Sequence, residues 1–227
     1  MNAKLVYAGY WRRKQLLKGD VPRFPVRRWW RCEGLCDIER LYFEALRERA
    51  RVLDMGAGDL RIMHKFLAAG YCGDYHTLDI GDEYEYTYAS LAEVQGEYEA
   101  ILCLDVIEHM PLAQGLELLD RLLELLAPGG VLIIQTPNAR CVRHPLAWDM
   151  THVHCYNLTD LWAYLTCKGL SVDGYRVALR QPRRSLAGWL HFAVTAFVAS
   201  RLLGCDYADN IALVARRPRK EQVKSGE

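Results

Sequence analysis

The chain has 227 residues, about half of them hydrophobic, and a formal net charge of +1. That length buries one large core with room for one small extra element. A molecule so near neutrality is not, as a whole, a polyanion binder, and Met1–Gln15 has no apolar run ahead of its arginines, as a secretory leader would need.

Charge is uneven. Between Arg12 and Arg31 stand eight basic residues and one acid, Asp20, interleaved with Trp11, Phe24, Trp29 and Trp30. Residues 1–36 are therefore expected to form a basic aromatic arm, either docking its rings on the core or facing an acidic ligand or membrane surface. Asp37 then caps a helix running to about Arg49, with Ile38, Leu41, Tyr42, Ala45 and Leu46 on one face. Arg51–Met55 reads as a strand, Leu60–Ala69 as a helix stopped by Gly70, and Tyr75–Ile80 as a second strand. Glu99–Asp105 is nearly all apolar, the mark of a strand buried on both faces. Leu112–Leu126 is a helix with Leu112, Leu116, Leu119, Leu123 and Leu126 on one stripe, broken by Pro128-Gly129-Gly130 before the strand Val131–Thr136. A helix over Thr159–Lys168, strands over Leu170–Leu179 and Asn210–Arg216, and an apolar helical stretch between those strands complete the pattern. Such alternation predicts an α/β fold with a mostly parallel sheet and helices on both faces. The domain is placed at 37–217, with an apolar helical insertion at about 184–204 and a flexible tail at 218–227.

The eight cysteines are scattered, several inside apolar runs such as Ile101-Leu102-Cys103-Leu104, and read as reduced core thiols. Cys32 and Cys36 form a CxxxC pair, but no second pair lies at ligand spacing, so no zinc site is expected.

In a sheet of this kind ligands bind beyond the carboxyl ends of the strands, near the topological switch point. Three segments end there in suitable chemistry. Gly56 and Gly58, in Leu53-Asp54-Met55-Gly56-Ala57-Gly58-Asp59, leave the strand-to-helix turn bare, so a ligand can approach the backbone closely. Asp79 ends its strand 21 residues after Gly58, where a carboxylate can accept hydrogen bonds from both hydroxyls of a ribose. Asp105 closes the buried strand. An acidic residue about 20 positions after a glycine turn also fits a nicotinamide-binding oxidoreductase. That fingerprint wants Gly or Ala where this chain has Arg61, which counts against NAD.

These segments carry a resemblance. Val52-Leu53-Asp54-Met55-Gly56-Ala57-Gly58 resembles motif I of class I S-adenosylmethionine (SAM) dependent methyltransferases, and Thr77-Leu78-Asp79-Ile80 their ribose-binding strand end. Leu104–Met110 is similar to the segment after their fourth strand, and Leu126–Leu132 to their Pro-Gly-Gly turn. The four motifs stand in order over about residues 37–180 and the final strand; one departure is Leu60, where many members carry a third glycine. The resemblance implies a Rossmann-like class I methyltransferase fold, a seven-stranded, mostly parallel sheet with SAM as cofactor and S-adenosylhomocysteine as product. It implies that Asp54, Gly56, Ala57 and Gly58 line the methionine half of SAM and that Asp79 holds the ribose. Ile80 would pack on the adenine, Ser90 and Leu91 would face its edge, and Asp105, Val106 and the residues to His109 would border the sulfonium.

An acceptor hydroxyl or amine must lose a proton, which suits a histidine at neutral pH. His109, His152 and His154 are the candidates. His109 and His152 are the first choices as base or substrate contacts, and Thr151-His152-Val153 resembles a segment of many small-molecule methyltransferases. His154, two residues on, points to the opposite side if the segment is extended. A divalent ion on Asp105, Glu108, His109 and His152 is the alternative. The ubiquinone-pathway O-methyltransferases and the small-RNA terminal 2′-O-methyltransferases look similar here, although this chain has Asp105 where they have a Glu.

The acceptor is read as a small or lipid-linked molecule methylated at oxygen. Nucleic-acid bases are disfavoured, because base-modifying enzymes place Pro-Pro-aromatic or Pro-Cys where this chain reads Asp105-Val106-Ile107-Glu108. Leu186–Leu203 is the most apolar stretch, interrupted by His191, Ser200 and Arg201. It reads as a cover helix or as an interfacial helix contacting a membrane surface or a partner protein, with Arg180, Arg183 and Arg184 ahead of it favouring an anionic surface. The location expected is cytoplasmic, peripheral at a membrane if that helix contacts lipid. Two other functions stay open: a SAM-binding regulatory or assembly subunit without turnover, and an RNA-directed 2′-O-methyltransferase.

Overall fold

Alternate residues of a strand point to opposite faces of its sheet, and that alternation divides the apolar side chains into two cores. The computed structural model describes residue 7, residues 9–179 and residues 186–219. Val52, Ala100, Leu102, Val131, Ile133 and Val214 face one core together with Tyr42, Leu46 and Phe66. Their neighbours Leu53, Ile101, Cys103, Leu132, Ile134 and Leu213 face the other, against Leu116, Leu119, Leu122, Leu161 and Leu165.

In chain order the elements are α1 (Tyr10–Lys18), β1 (Val26–Arg28), α2 (Asp37–Leu46), β2 (Arg51–Met55), α3 (Arg61–Ala68), β3 (Asp74–Leu78) and β4 (Tyr98–Leu104). A short 3-10 turn (Ile107–His109) leads to α4 (Leu112–Leu125), β5 (Leu126–Pro137), a second 3-10 turn (Pro145–Ala147), α5 (Leu158–Cys167), β6 (Ser171–Ala178), α6 (Leu186–Leu202) and β7 (Asn210–Arg216). The sheet has seven strands in the order β1-β6-β7-β5-β4-β2-β3. All pairs are parallel except those of β7, which runs antiparallel to both β5 and β6. From β2 the chain steps outward to β3 and returns as β4 on β2's other side. The crevice between the carboxyl ends of β2 and β4 is therefore the switch point.

One strand comes from the segment read as an arm. Val26–Arg28 pairs with Arg176–Ala178 at the sheet edge, and Phe24 seats on bare backbone, since a Cβ at Gly174 would lie 2.5 Å from its ring. Three residues, two of them arginine, show no hydrophobic period, so the sequence hides this strand. Asp37 does not cap its helix. It accepts from Arg28 N (3.0 Å) and Arg27 Nη1 (3.2 Å), tying β1 to α2, while Glu39 reaches back to Cys36 N (3.0 Å). On α4 the buried stripe runs through Leu116, Leu118, Leu119, Leu122 and Leu125, rotated from the expected one, and Leu112 and Leu123 are only half-buried. Leu126 already pairs with Tyr98, and the Pro-Gly-Gly turn sits in the register shift that follows.

α6 occupies the expected insertion, with Leu190, Val194, Phe197, Val198 and Leu202 exposed. Among the described residues no helix is long and apolar enough to cross a membrane. Arg180, Arg183 and Arg184 and the tail after Arg219 lie outside the described residues. All eight cysteines are free; Cys36, Cys103 and Cys141 are buried and Cys72 is exposed, so fewer than half are core thiols.

Candidate active site

The glycine bend and the carboxylate expected to serve a ribose meet at the switch point. Gly56 N and Ala57 N both donate to Leu78 O (2.8 and 3.1 Å), which holds the end of β2 against the end of β3. Gly56 has φ +76°, and a Cβ there would lie 2.3 Å from Val106 Cγ2. Only glycine meets both demands. Gly58 N donates to Asp79 Oδ2 (2.8 Å), and Asp79 Oδ1 accepts from Gly81 N (2.9 Å). Asp54 is 3% exposed; burial raises its pKa to about 6, against a hydrogen bond from Tyr75 OH (2.8 Å) that favours the charge. Leu60, at the place of the missing third glycine, sits in the left-handed region at φ 58°.

Beside the bend is a cavity of about 160 Å³ lined in part by Trp29, Glu39, Tyr42, Gly56, Gly58, Arg61, Asp105 and Gln135. Glu39 is almost fully buried and bonds to Arg61 Nη1 (2.6 Å) and Lys65 Nζ (2.7 Å). Burial alone would raise its pKa, but Lys65, the Cys36 amide and Arg61 outweigh that and hold it low. Arg61 also lies over the Trp29 ring, 5.9 Å from its centroid. Sequence reasoning missed this charged wall. Arg61 and Lys65 stand four apart on one helix face, a readable signal, but nothing in the sequence says that Glu39 is buried beneath them.

Asp105 has φ 55°, and its carboxylate accepts from Gln135 Nε2 (2.8 Å) and Asn210 Nδ2 (3.2 Å). Gln135 is held in turn by Tyr42 OH (2.8 Å). Ile80, next to Asp79, is 91% exposed. Ser90 and Leu91 follow the isolated bridge between Leu78 and Tyr88, and the Ser90 hydroxyl is engaged by Glu93 Oε1 (3.0 Å). Tyr86 OH donates to Gly58 O (2.7 Å), bringing a further ring to the bend.

The histidines gather around Glu108. Val153 N and His154 N both donate to Glu108 O (2.7 and 3.0 Å), which lashes the loop after β5 to the turn after β4. The His109 and His152 rings meet edge to face at 5.0 Å. Their tautomers follow from their partners. His152 Nδ1 faces Pro145 O (2.9 Å), a carbonyl that can only accept, so Nδ1 carries the proton. Thr151 Oγ1 gives its one proton to Asp149 (2.7 Å) and so accepts from His109 Nδ1 (2.9 Å). Both rings thus present an Nε2 lone pair. Glu108 is 1% exposed; Oε2 accepts from Thr136 Oγ1 (3.0 Å), and Oε1 has no partner among the described residues. Burial, and then the Asp105 charge, push its pKa well above the carboxylate range. Ligand atoms of Glu108, His109 and His152 lie within 4.8 Å of one another. Asp105 stays outside that group, turned toward Gln135 and Asn210. His154 packs on Tyr156 (4.8 Å), on the other side of the loop from His152.

Against known proteins, residues 27–191 match the family model described as a methyltransferase domain. The chain is 27% identical over 203 residues to the ubiquinone biosynthesis O-methyltransferase of Xanthomonas axonopodis pv. citri (strain 306), a match covering 70% of this chain and 82% of that protein. Its fold is similar to the crystal structure of a SAM dependent methyltransferase from Archaeoglobus fulgidus (TM-score 0.58, 16% identity, 78% of this chain and 90% of that one). It is also similar to the plantazolicin methyltransferase BpumL in complex with S-adenosylhomocysteine (TM-score 0.52, 13% identity, 79% and 81%).

Proposed function

The chain belongs to this family of methyltransferase domains and takes S-adenosylmethionine as its cofactor, and we propose that it methylates an oxygen of a small or lipid-linked acceptor. The observation that carries this reading is the meeting of the bare Gly56–Gly58 bend with Asp79, on the same rim as two histidines whose Nε2 lone pairs are free. S-adenosylmethionine, when bound, supplies a methyl group on an electrophilic sulfonium. Gly56, Ala57 and Gly58 would receive its amino-acid end, with Glu39 and Arg61 offering one charge of each sign to a zwitterion. Asp79 would accept from the ribose hydroxyls, exposed Ile80 would cover the adenine, and Ser90 and Leu91 would meet its edge. Asp54 would line the methionine half beside the bend, and Asp105 and Val106 would border the sulfonium. In-line displacement asks chiefly for positioning, worth up to roughly 7–11 kcal/mol in well-oriented cases. The acceptor's proton would pass to Nε2 of His152 or His109, with Pro145 O or the Thr151–Asp149 pair steadying the charged ring.

Oxygen as the acceptor atom draws support from the relative named as an O-methyltransferase. The apolar stripe of α6 is the surface we assign to a membrane surface or a partner protein. Incubation with tritiated methyl donor and a metabolite extract tests the reading. Label should appear in a small acceptor, and His152→Ala should lower kcat at least a hundredfold while calorimetric affinity for S-adenosylhomocysteine stays unchanged. Label confined to RNA, or full turnover in both His152→Ala and His109→Ala, would refute it.

A second reading has its own support. The clustering of Glu108, His109 and His152, with an unpartnered carboxylate oxygen and two free lone pairs, suits a divalent cation. The acceptor oxygen would then be activated on a metal rather than by a base. Loss of turnover to a chelator, restored by magnesium or zinc, decides for the metal; indifference to chelation decides for the base.

A further inference from the structure

The loop that brings His152 to the rim leaves His154 facing a separate space. Among the described residues the His154 ring nitrogens have no hydrogen-bond partner, and the ring lines a cavity of about 370 Å³ between α1, α4 and α5. Leu112 and Leu116 of α4 and Leu161 and Tyr164 of α5 form its apolar walls, and Tyr10, Arg13, Lys14 and Leu17 of α1 close it from above. Arg13 lies over the Tyr164 ring at 5.7 Å and Lys14 over the Tyr10 ring at 5.5 Å. The acid facing the same space, Asp160, already accepts from Asn157 Nδ2 (3.0 Å). The volume falls in the range of small-molecule sites, roughly 300–1,000 Å³, which combine apolar walls with a few placed polar groups.

We propose that this cavity is a second ligand site, for a planar aromatic anion that also carries a hydroxyl. The leucines and tyrosine rings take the aromatic body. Lys14 takes the negative charge, the Asp160 carboxylate being already engaged by Asn157. His154 takes the hydroxyl, as donor or acceptor. The site gives the basic aromatic arm a purpose that the methyl-transfer chemistry leaves unassigned, and it does not depend on which oxygen is methylated.

Fluorescence titration of the full chain with 6-hydroxy-2-naphthoate, 2-naphthoate and 2-naphthol tests the assignment. The hydroxynaphthoate should bind tightest, and loss of either polar group should weaken binding about threefold to tenfold. His154→Ala should erase the preference for the hydroxyl alone, and Lys14→Glu the preference for the carboxylate alone. Leu112→Trp, placed on a half-buried wall residue that tolerates bulk, should abolish binding of all three while thermal unfolding stays cooperative. Equal affinities for the three probes, no binding at millimolar concentration, or an order unchanged in both His154→Ala and Lys14→Glu would overturn it. A parallel titration with S-adenosylhomocysteine separates the two proposals, since intact binding there beside silent naphthoates sinks this cavity alone.

Discussion

Asp54 shows how a single buried charge sets the terms for the pocket. Its pKa, about 6 in the folded chain, stands above the roughly 3.9 of an unfolded aspartate. Between those values the native state binds more protons than the unfolded one, so this group's stabilisation is complete below about pH 4 and is lost as pH rises toward 6. The loss should total roughly 3 kcal/mol, and Asp54→Asn, which stays uncharged, should flatten it. Urea denaturation across pH 4–7 reads this directly; a parent curve as flat as the variant's would contradict the burial argument. At the same scale, Leu60 marks a limit of legibility. Its place in the motif was visible as a missing glycine, but its left-handed φ of 58° was not, because a leucine there gives no sign of the strain its neighbours tolerate. Arg61 is the converse case. In the sequence it reads only as a misfit to a dehydrogenase fingerprint, and its ion pair with buried Glu39 depends on a helix 22 positions away.

Strands were the most legible elements, since buried runs such as Ala100–Cys103 alternate between two cores and leave no polar residue to disguise them. α4 was legible in extent but not in rotation, because leucines occupy enough of its positions to permit several stripes. β1 was not legible at all; its pairing rests on backbone groups of β6, and backbone writes nothing into composition. The histidine loop was readable as a motif, whereas the lone pairs of His109 and His152 required knowing that Thr151, Asp149 and Pro145 stand behind them. On α6, Leu190, Val194, Phe197, Val198 and Leu202 recur at helical spacing on its exposed surface. Arg201 in its last turn, and Arg23, Arg140 and Arg176 around the cleft beside Ser200 and Cys205, add positive charge at one end. If this surface meets lipid, the chain should float with vesicles containing phosphatidylglycerol more than with phosphatidylcholine alone, and Val194→Asp combined with Phe197→Asp should abolish flotation. A concentration-dependent dimer that the same double variant dissolves would assign the stripe to a second copy instead.

At the scale of the whole molecule, the N-terminal segment spans the sheet from its far edge to the pocket. Phe24 packs near Trp162 and on Gly174, β1 extends β6, and Trp29 reaches Arg61 beside the glycine bend. A chain beginning at Asp20 should therefore keep its affinity for S-adenosylhomocysteine. One beginning at Asp37 should lose about 3 kcal/mol or more, the scale of a buried aromatic removed, and bind the product weakly. Equal melting temperatures for the two truncations would show that the segment merely lies on the surface. The placement of α6 has a different reach. Its helix departs after β6 and returns before β7, two adjacent antiparallel strands paired from Ser171 with Arg216 to Val177 with Asn210, and Leu179 N is clasped by Asp209 Oδ2 (3.0 Å) at the root of the excursion. With both ends anchored side by side, Leu186–Leu202 can be shortened without parting the β6–β7 ladder, provided Gly204–Asp209, which hold Asn138, Arg140 and Arg143 at the end of β5, are kept; the shortened chain should still unfold cooperatively on heating.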